Sequence, residues 1–243
     1  RTAAELSTRY GVNVISVAKD LFNREAPFEL YDELKEKGIC VDVLVNDAAQ
    51  GLYGKFVETD LQRELDMLQL NIGAYLILTK LYLRDMLMRG DGKILNVASI
   101  AAKVPGPYQS VYHGTKAFIH SFTEAVRAEL GECGVTVTSL LPGPTDTDFF
   151  NKAHMEDSKI LEHDLADPAK VATRVTLLVD KRPIVIRSCP SEPSACMKKS
   201  AVRGSGMWNA KPLKNVTSNA LARSDAAPAN GNAQRRQDIQ DIR

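Results

Sequence analysis

The stretch GKILNVASIAAKVPGPYQSVYHGTKAFIHSFTEAVRAELGECGVTVTSLLPG, residues 92–143, decides the fold. It opens on a short run, 93–97, that after Lys93 is apolar on both faces apart from one Asn. A loop with Pro105, Gly106 and Pro107 breaks the chain. A helical pattern then runs from about Ser110 to Gly131, and a second apolar strand, 135–141, ends at Pro142–Gly143. Two strands joined by a long helix cannot form a hairpin, so they lie parallel. Strands apolar on both faces belong to a sheet covered by helices on both sides.

Working outward gives more of the same alternation. Before Gly90–Gly92, a long helix spans about 60–89, with an irregularity expected near Gly73. Thr59 and Gln62 resemble a capping box at its start. Further back lie the loop 46–51, a strand at 41–45, and a helix with Phe28, Tyr31 and Leu34 at helical spacing, stopped by Gly38. Residues 12–20, VNVISVAKD, read as a strand ending in an acid. Residues 6–10 read as the end of a helix closed by Gly11. On the other side, 168–178 reads as a helix and 183–186 as a short strand. The pattern is that of a three-layer α/β/α domain with a parallel sheet over residues 1–187. From 188 to 243 the periodicity stops. That tail is polar and basic (net +5, against −4 for 1–187) and is expected to be disordered.

Composition sets limits. The formal net charge of +1 offers no general argument for nucleic acid. The tail lacks a dense basic stripe or a stacking pattern, so no nucleic-acid partner is expected. Lys80, Arg84 and Asp85 interrupt the most apolar stretch, 76–88, so no membrane span is expected. Four cysteines without a C-x-x-C pair suit a reduced, cytoplasmic setting. No metal site is expected.

Ligands of parallel α/β sheets sit outside the carboxyl ends of the strands. Asn46, Ser99 and Pro142–Gly143 all follow strands at that edge. Tyr112 and Lys116 are four apart on one helix and so share a face. An ammonium beside a phenol favours the phenolate, which would make the pair a proton-transfer device. Ser99 can both donate to and accept from a substrate oxygen. Asn71 lies in an apolar helical stretch, where an amide needs a partner.

In order and spacing these residues resemble the short-chain dehydrogenases/reductases, over about 1–187. The strings that carry the resemblance are VAKDL at 17–21, LVNDAAQG at 44–51, GKILNVASIA at 92–101, VYHGTK at 111–116 and LLPGPTDTDF at 140–149. The resemblance implies a Rossmann-like fold and NAD or NADP as cofactor. It implies a secondary alcohol or ketone as substrate, and a homodimer or homotetramer. By the same likeness Tyr112 is the acid/base and Lys116 contacts the nicotinamide ribose. Ser99 holds the reacting oxygen, and Asn71 positions a water that relays protons to the lysine. Asp20, Asn46 and Ala48 match positions along the adenosine. Pro142, Gly143, Thr145 and Thr147 match positions around the nicotinamide.

Departures from the family pattern are plain. The family's opening strand, its T-G-x-x-x-G-x-G turn and its second strand have no counterpart in the sequence. The domain is therefore expected to be truncated, with the 243 residues alone poorly folded and inactive. Asp47 replaces an Asn and Ala49 a Gly, and a β-carbon at 49 would crowd a cofactor if the backbone needed positive φ. The alternative to an oxidoreductase is a non-catalytic relative that acts as a binding partner.

Overall fold

The computed structural model describes residues 2–155, 158–162 and 164–179. The strand expected at 183–186 and the tail from 188 lie outside them. Helix α1 is Thr2–Tyr10 and α2 is Ala26–Glu36. Strand β1 is Val43–Asn46. Helix α3, Leu61–Leu68, passes through a π-helical turn, Gln69–Gly73, into α4, Ala74–Arg89. Strand β2 is Gly92–Val97, and a 3₁₀ turn, Ile100–Lys103, leads on to α5, Ser110–Leu130. Strand β3 is Val135–Leu140. Short α6, Phe149–Lys152, a 3₁₀ turn at Lys159–Glu162, and α7, Pro168–Val179, complete the described chain.

The sheet is parallel, in the order β1-β2-β3. Asn46 of β1 stands beside Asn96 of β2, which in turn stands beside Ser139 of β3. Consecutive residues of a strand face opposite sides. Ile94, Leu95 and Asn96 are all buried, so both faces of β2 are covered, as the apolar run required. The main core joins Leu78, Tyr82 and Met86 of α4 to Ile94, Val135 and Val137 of the sheet, with Leu30, Tyr31 and Leu34 of α2 packed against it.

Two sequence expectations need correction. Residues 12–20 form no strand, and Val12 and Ile15 are about half exposed. Extended chain becomes a strand only beside a neighbour that takes up its N–H and C=O groups, and none of the three described strands pairs with it. β1 is accordingly an edge, with Val45 exposed. The cap of α3 is Asp60, whose carboxylate accepts from Arg63 N at 2.9 Å. Thr59 instead donates to Glu64 at 2.7 Å. The irregularity expected near Gly73 is the π turn, where Ala74 N–H reaches back five residues to Gln69 O.

Gly134 sets the approach to β3. Its φ is +66°, and a β-carbon there would lie 2.2 Å from the backbone oxygen of Gly90, the left-handed residue that ends α4. Gly134→Ala meets both a left-handed penalty and a backbone clash. It is expected to cost more than about 2 kcal/mol, read as a lower urea midpoint at unchanged slope.

Candidate active site

β2 ends at Val97, and the chain turns through Ala98 to Ser99 in extended conformation. Ser99 Oγ accepts from Ala101 N at 3.1 Å and so caps the 3₁₀ turn. The phenol of Tyr112, in the first turn of α5, lies close enough to the same hydroxyl for Ser99 to favour its ionised form. One turn further, buried Lys116 sends Nζ to Val97 O at 2.9 Å. Nζ lies 5.7 Å from the centre of the Tyr75 ring and 5.9 Å from that of Tyr112, within cation–π range. The end of β2 and the start of α5 thus bring Ser99, Tyr112 and Lys116 together.

Burial dominates the electrostatics. It pushes the Tyr112 phenol up from its ordinary value, and Ser99 pulls it partly back. This corrects the sequence expectation that the ammonium would govern the phenol, since Nζ is turned toward a backbone carbonyl. Lys116 itself is lowered to about 8 by burial, with the charge of Asp47 opposing.

Asn71 is fully buried in the π turn. Its amide donates to Gln50 O at 2.9 Å and Thr115 Oγ1 at 3.1 Å, and accepts from Gln50 N at 3.0 Å. Thr115 passes its own hydrogen to Tyr112 O at 2.7 Å. Asn71 therefore ties the loop after β1 to the helix that carries Tyr112.

A cleft of about 670 Å³ opens over these groups, within the usual range for small-molecule sites. Ala48, Ser99, Tyr112, Lys116, Pro142, Gly143, Thr145 and Thr147 line it. Asn46, Asn71 and Asp20 are outside its lining. Asn46 is buried and gives Nδ2 to Asn96 at 2.8 Å and Thr79 at 3.1 Å. Asp20 is exposed in a turn, accepting from Phe22 N at 3.1 Å. Ala49 keeps a negative φ, so the feared clash of its β-carbon with a left-handed backbone does not arise.

The lining also includes residues that sequence reading passed over: Asp47, Gln50, Gln109, His113, Phe149 and Met155. Asp47 and Gln50 were within reach of it, flanking Ala48 at a strand's carboxyl end. Phe149 and Met155 carry no local signal, because apolar residues after a strand read equally well as core.

The family model described as short chain dehydrogenase matches residues 1–158. An uncharacterized oxidoreductase of Staphylococcus saprophyticus is 31% identical over 189 residues, 76% of this chain and 81% of that one. A probable NADP-dependent dehydrogenase of Haemophilus influenzae is 34% identical over 160 residues, 64% of this chain and 63% of that one. A solved structure from Beutenbergia cavernae, a putative NAD(P)-dependent gluconate 5-dehydrogenase with bound NADP, superposes with a TM-score of 0.64. It is 27% identical, with 72% of this chain and 73% of that one covered. The chain belongs to the short chain dehydrogenase family, and its parallel α/β sheet is that family's Rossmann-type fold. Among the described residues no helix is long and apolar enough to cross a membrane, and no cluster of metal-ligating side chains occurs.

Proposed function

We propose that the protein is an NAD(P)-dependent oxidoreductase that interconverts a ketone and a secondary alcohol, with Tyr112 as the group that moves the proton. The observation that carries this is the meeting of Ser99, Tyr112 and Lys116 at the carboxyl end of β2, inside a cleft. NADP is the favoured cofactor, because the Haemophilus relative is named for it and the Beutenbergia structure holds it.

The residues present fit the nicotinamide half of such a cofactor. An ammonium has three N–H groups, and among the described residues the hydrogen-bond partner of Lys116 Nζ is one backbone carbonyl. Its remaining donors suit the paired hydroxyls of a ribose. Pro142, Gly143, Thr145 and Thr147 would flank the nicotinamide, and Ala48 would lie along the adenosine side. When bound, the nicotinamide supplies or takes up the hydride. Ser99 holds the substrate oxygen against Tyr112 Oη. Because burial keeps Tyr112 protonated near neutral pH, it is poised to donate a proton to a carbonyl oxygen. Asn71 is a positioning residue. Both N–H donors of its side chain are used, so a water relay to Lys116 would not draw a proton from that amide.

A specific observation favours the non-catalytic reading as the runner-up. Asp20 and Asn46, matched to the adenosine half, do not line the cleft. Calorimetric titration with NADPH and NADH, followed by ketone reduction, separates the two. Binding and turnover with NADPH are expected. Binding of neither cofactor by the full protein moves the assignment to a non-catalytic relative.

A further inference from the structure

The cleft wall beside Tyr112 is made of carbon. The Phe149 ring centre is 5.2 Å from that of Tyr112. Behind it Phe150 and Met155 are almost wholly buried and pack as one cluster with Ile160 and Leu165. Gly51 makes room for the ring, since a β-carbon there would come within 2.7 Å of Phe149 Cζ. Ile100 and Val104 also line the cleft and are about half exposed.

The cations of the same lining each have a partner. Lys116 faces Val97 O, and Lys152 is paired with Asp148 at 3.1 Å. Asp47 adds a second acid, and no arginine is among the described lining residues. His113 bonds Val104 O at 2.8 Å through Nδ1, and Gln109 gives its amide to Met155 Sδ at 3.0 Å. With the remaining donors of Lys116 given to the cofactor's ribose, a carboxylate brought into this cleft would give up water and find only the already paired Lys152 to receive it, which is costly. An aromatic or branched alkyl group would instead exchange water for the Phe149 face and the chain of apolar side chains around it.

Resting on the oxidoreductase reading, we propose that the substrate is an uncharged ketone or secondary alcohol bearing an aryl or branched alkyl group. Phe149 is the residue that selects it, and keto acids and sugar acids are excluded. This differs from the sugar acid in the name of the Beutenbergia protein.

Two probes differ in one group only. Acetophenone and phenylglyoxylate are the same phenyl ketone, with methyl in one and carboxylate in the other. Their binding to the full protein in the presence of NADP is measured by saturation-transfer NMR, and their reduction by NADPH consumption. Acetophenone is expected to bind and to react at least about tenfold better, the preference of an unpaired buried charge for water. Phe149→Ala is expected to raise the acetophenone Kd about tenfold or more, and Phe149→Leu to recover most of that. Equal or tighter binding of phenylglyoxylate overturns the proposal, as does failure of both probes to bind at millimolar concentration. Indifference of acetophenone binding to both Phe149 variants removes Phe149 as the selector. Selective binding of acetophenone without hydride transfer supports the apolar cleft and defeats the oxidoreductase reading instead.

Discussion

Tyr112→Phe is expected to lower ketone reduction by about 10²–10⁴-fold, the usual worth of a positioned acid or base, while leaving the fold and cofactor affinity nearly unchanged. Phe keeps the ring that packs 5.2 Å from Phe149 and edge-on to His113. It removes only the hydroxyl and its interaction with Ser99, a stability change of about 1 kcal/mol. The loss should therefore fall on kcat with little movement of the cofactor Kd. Ser99→Ala should also slow turnover. It removes the same interaction and in addition the cap on Ala101. The pH profile gives an independent check. Burial raises Tyr112, so its proton is present throughout the neutral range. Reduction should stay level there and fall as alkaline pH removes that proton, while oxidation should rise over the same interval. Steady-state rates in both directions decide the matter. A Phe variant that keeps more than about a tenth of the parental rate would remove Tyr112 from the mechanism.

How much of this was legible in the sequence depends on the range of the interaction that fixes each feature. β2, α5 and β3 were readable because their apolar periods, Pro105–Pro107 and Gly131–Gly134 all act within a few residues. Tyr112 and Lys116 share a face by helix geometry alone, so their meeting needed no tertiary information. Residues 12–20 failed for the opposite reason. Strand propensity describes a fit to neighbours, and no described strand lies against that segment. The cap moved by one residue because Thr59 and Asp60 are both able to cap, and the carboxylate won the Arg63 N–H. Asn46 was out of reach. Its place depends on a buried network in which Asn96 also donates to Thr123 Oγ1 of α5 at 3.0 Å, joining β1, β2, α4 and α5. Burial, which reverses the expected sign at Tyr112, has no signature in a spacing of four.

Lys116→Met is expected to do two opposite things: abolish efficient turnover and raise stability at neutral pH. The reason lies in the lysine's burial. Burial lowers its folded pKa to about 8, against the ordinary lysine value of 10.5. Above pH 10.5 the amine is neutral in both states and burying it carries no charge penalty. Between about 10.5 and 8 the unfolded chain takes up the proton first, so stability falls as pH falls. Below about 8 the ammonium is charged in both states and the whole penalty is present. At about 1.4 kcal/mol per pKa unit, that penalty is on the order of 3 kcal/mol. Met fills the same buried position beside Tyr75 and Tyr112 without the charge. It gives up the bond to Val97 O, worth about 1 kcal/mol, so a net gain of about 1–2 kcal/mol is expected at pH 7. Urea unfolding of both proteins at pH 7 and pH 10 measures it, and the gain should shrink or vanish at the higher pH. Asp47→Asn sharpens the test, because removing the one charge that supports the ammonium should lower the lysine pKa further. Cofactor affinity would then begin to fall at a lower pH than in the parent. A Met variant equally destabilised at both pH values would mean that the Lys116–Val97 bond, and not the buried charge, sets the energy of this position. The opposite result would show an ammonium held at a cost to the fold, at the point where the proposed reading needs donors for the cofactor's ribose.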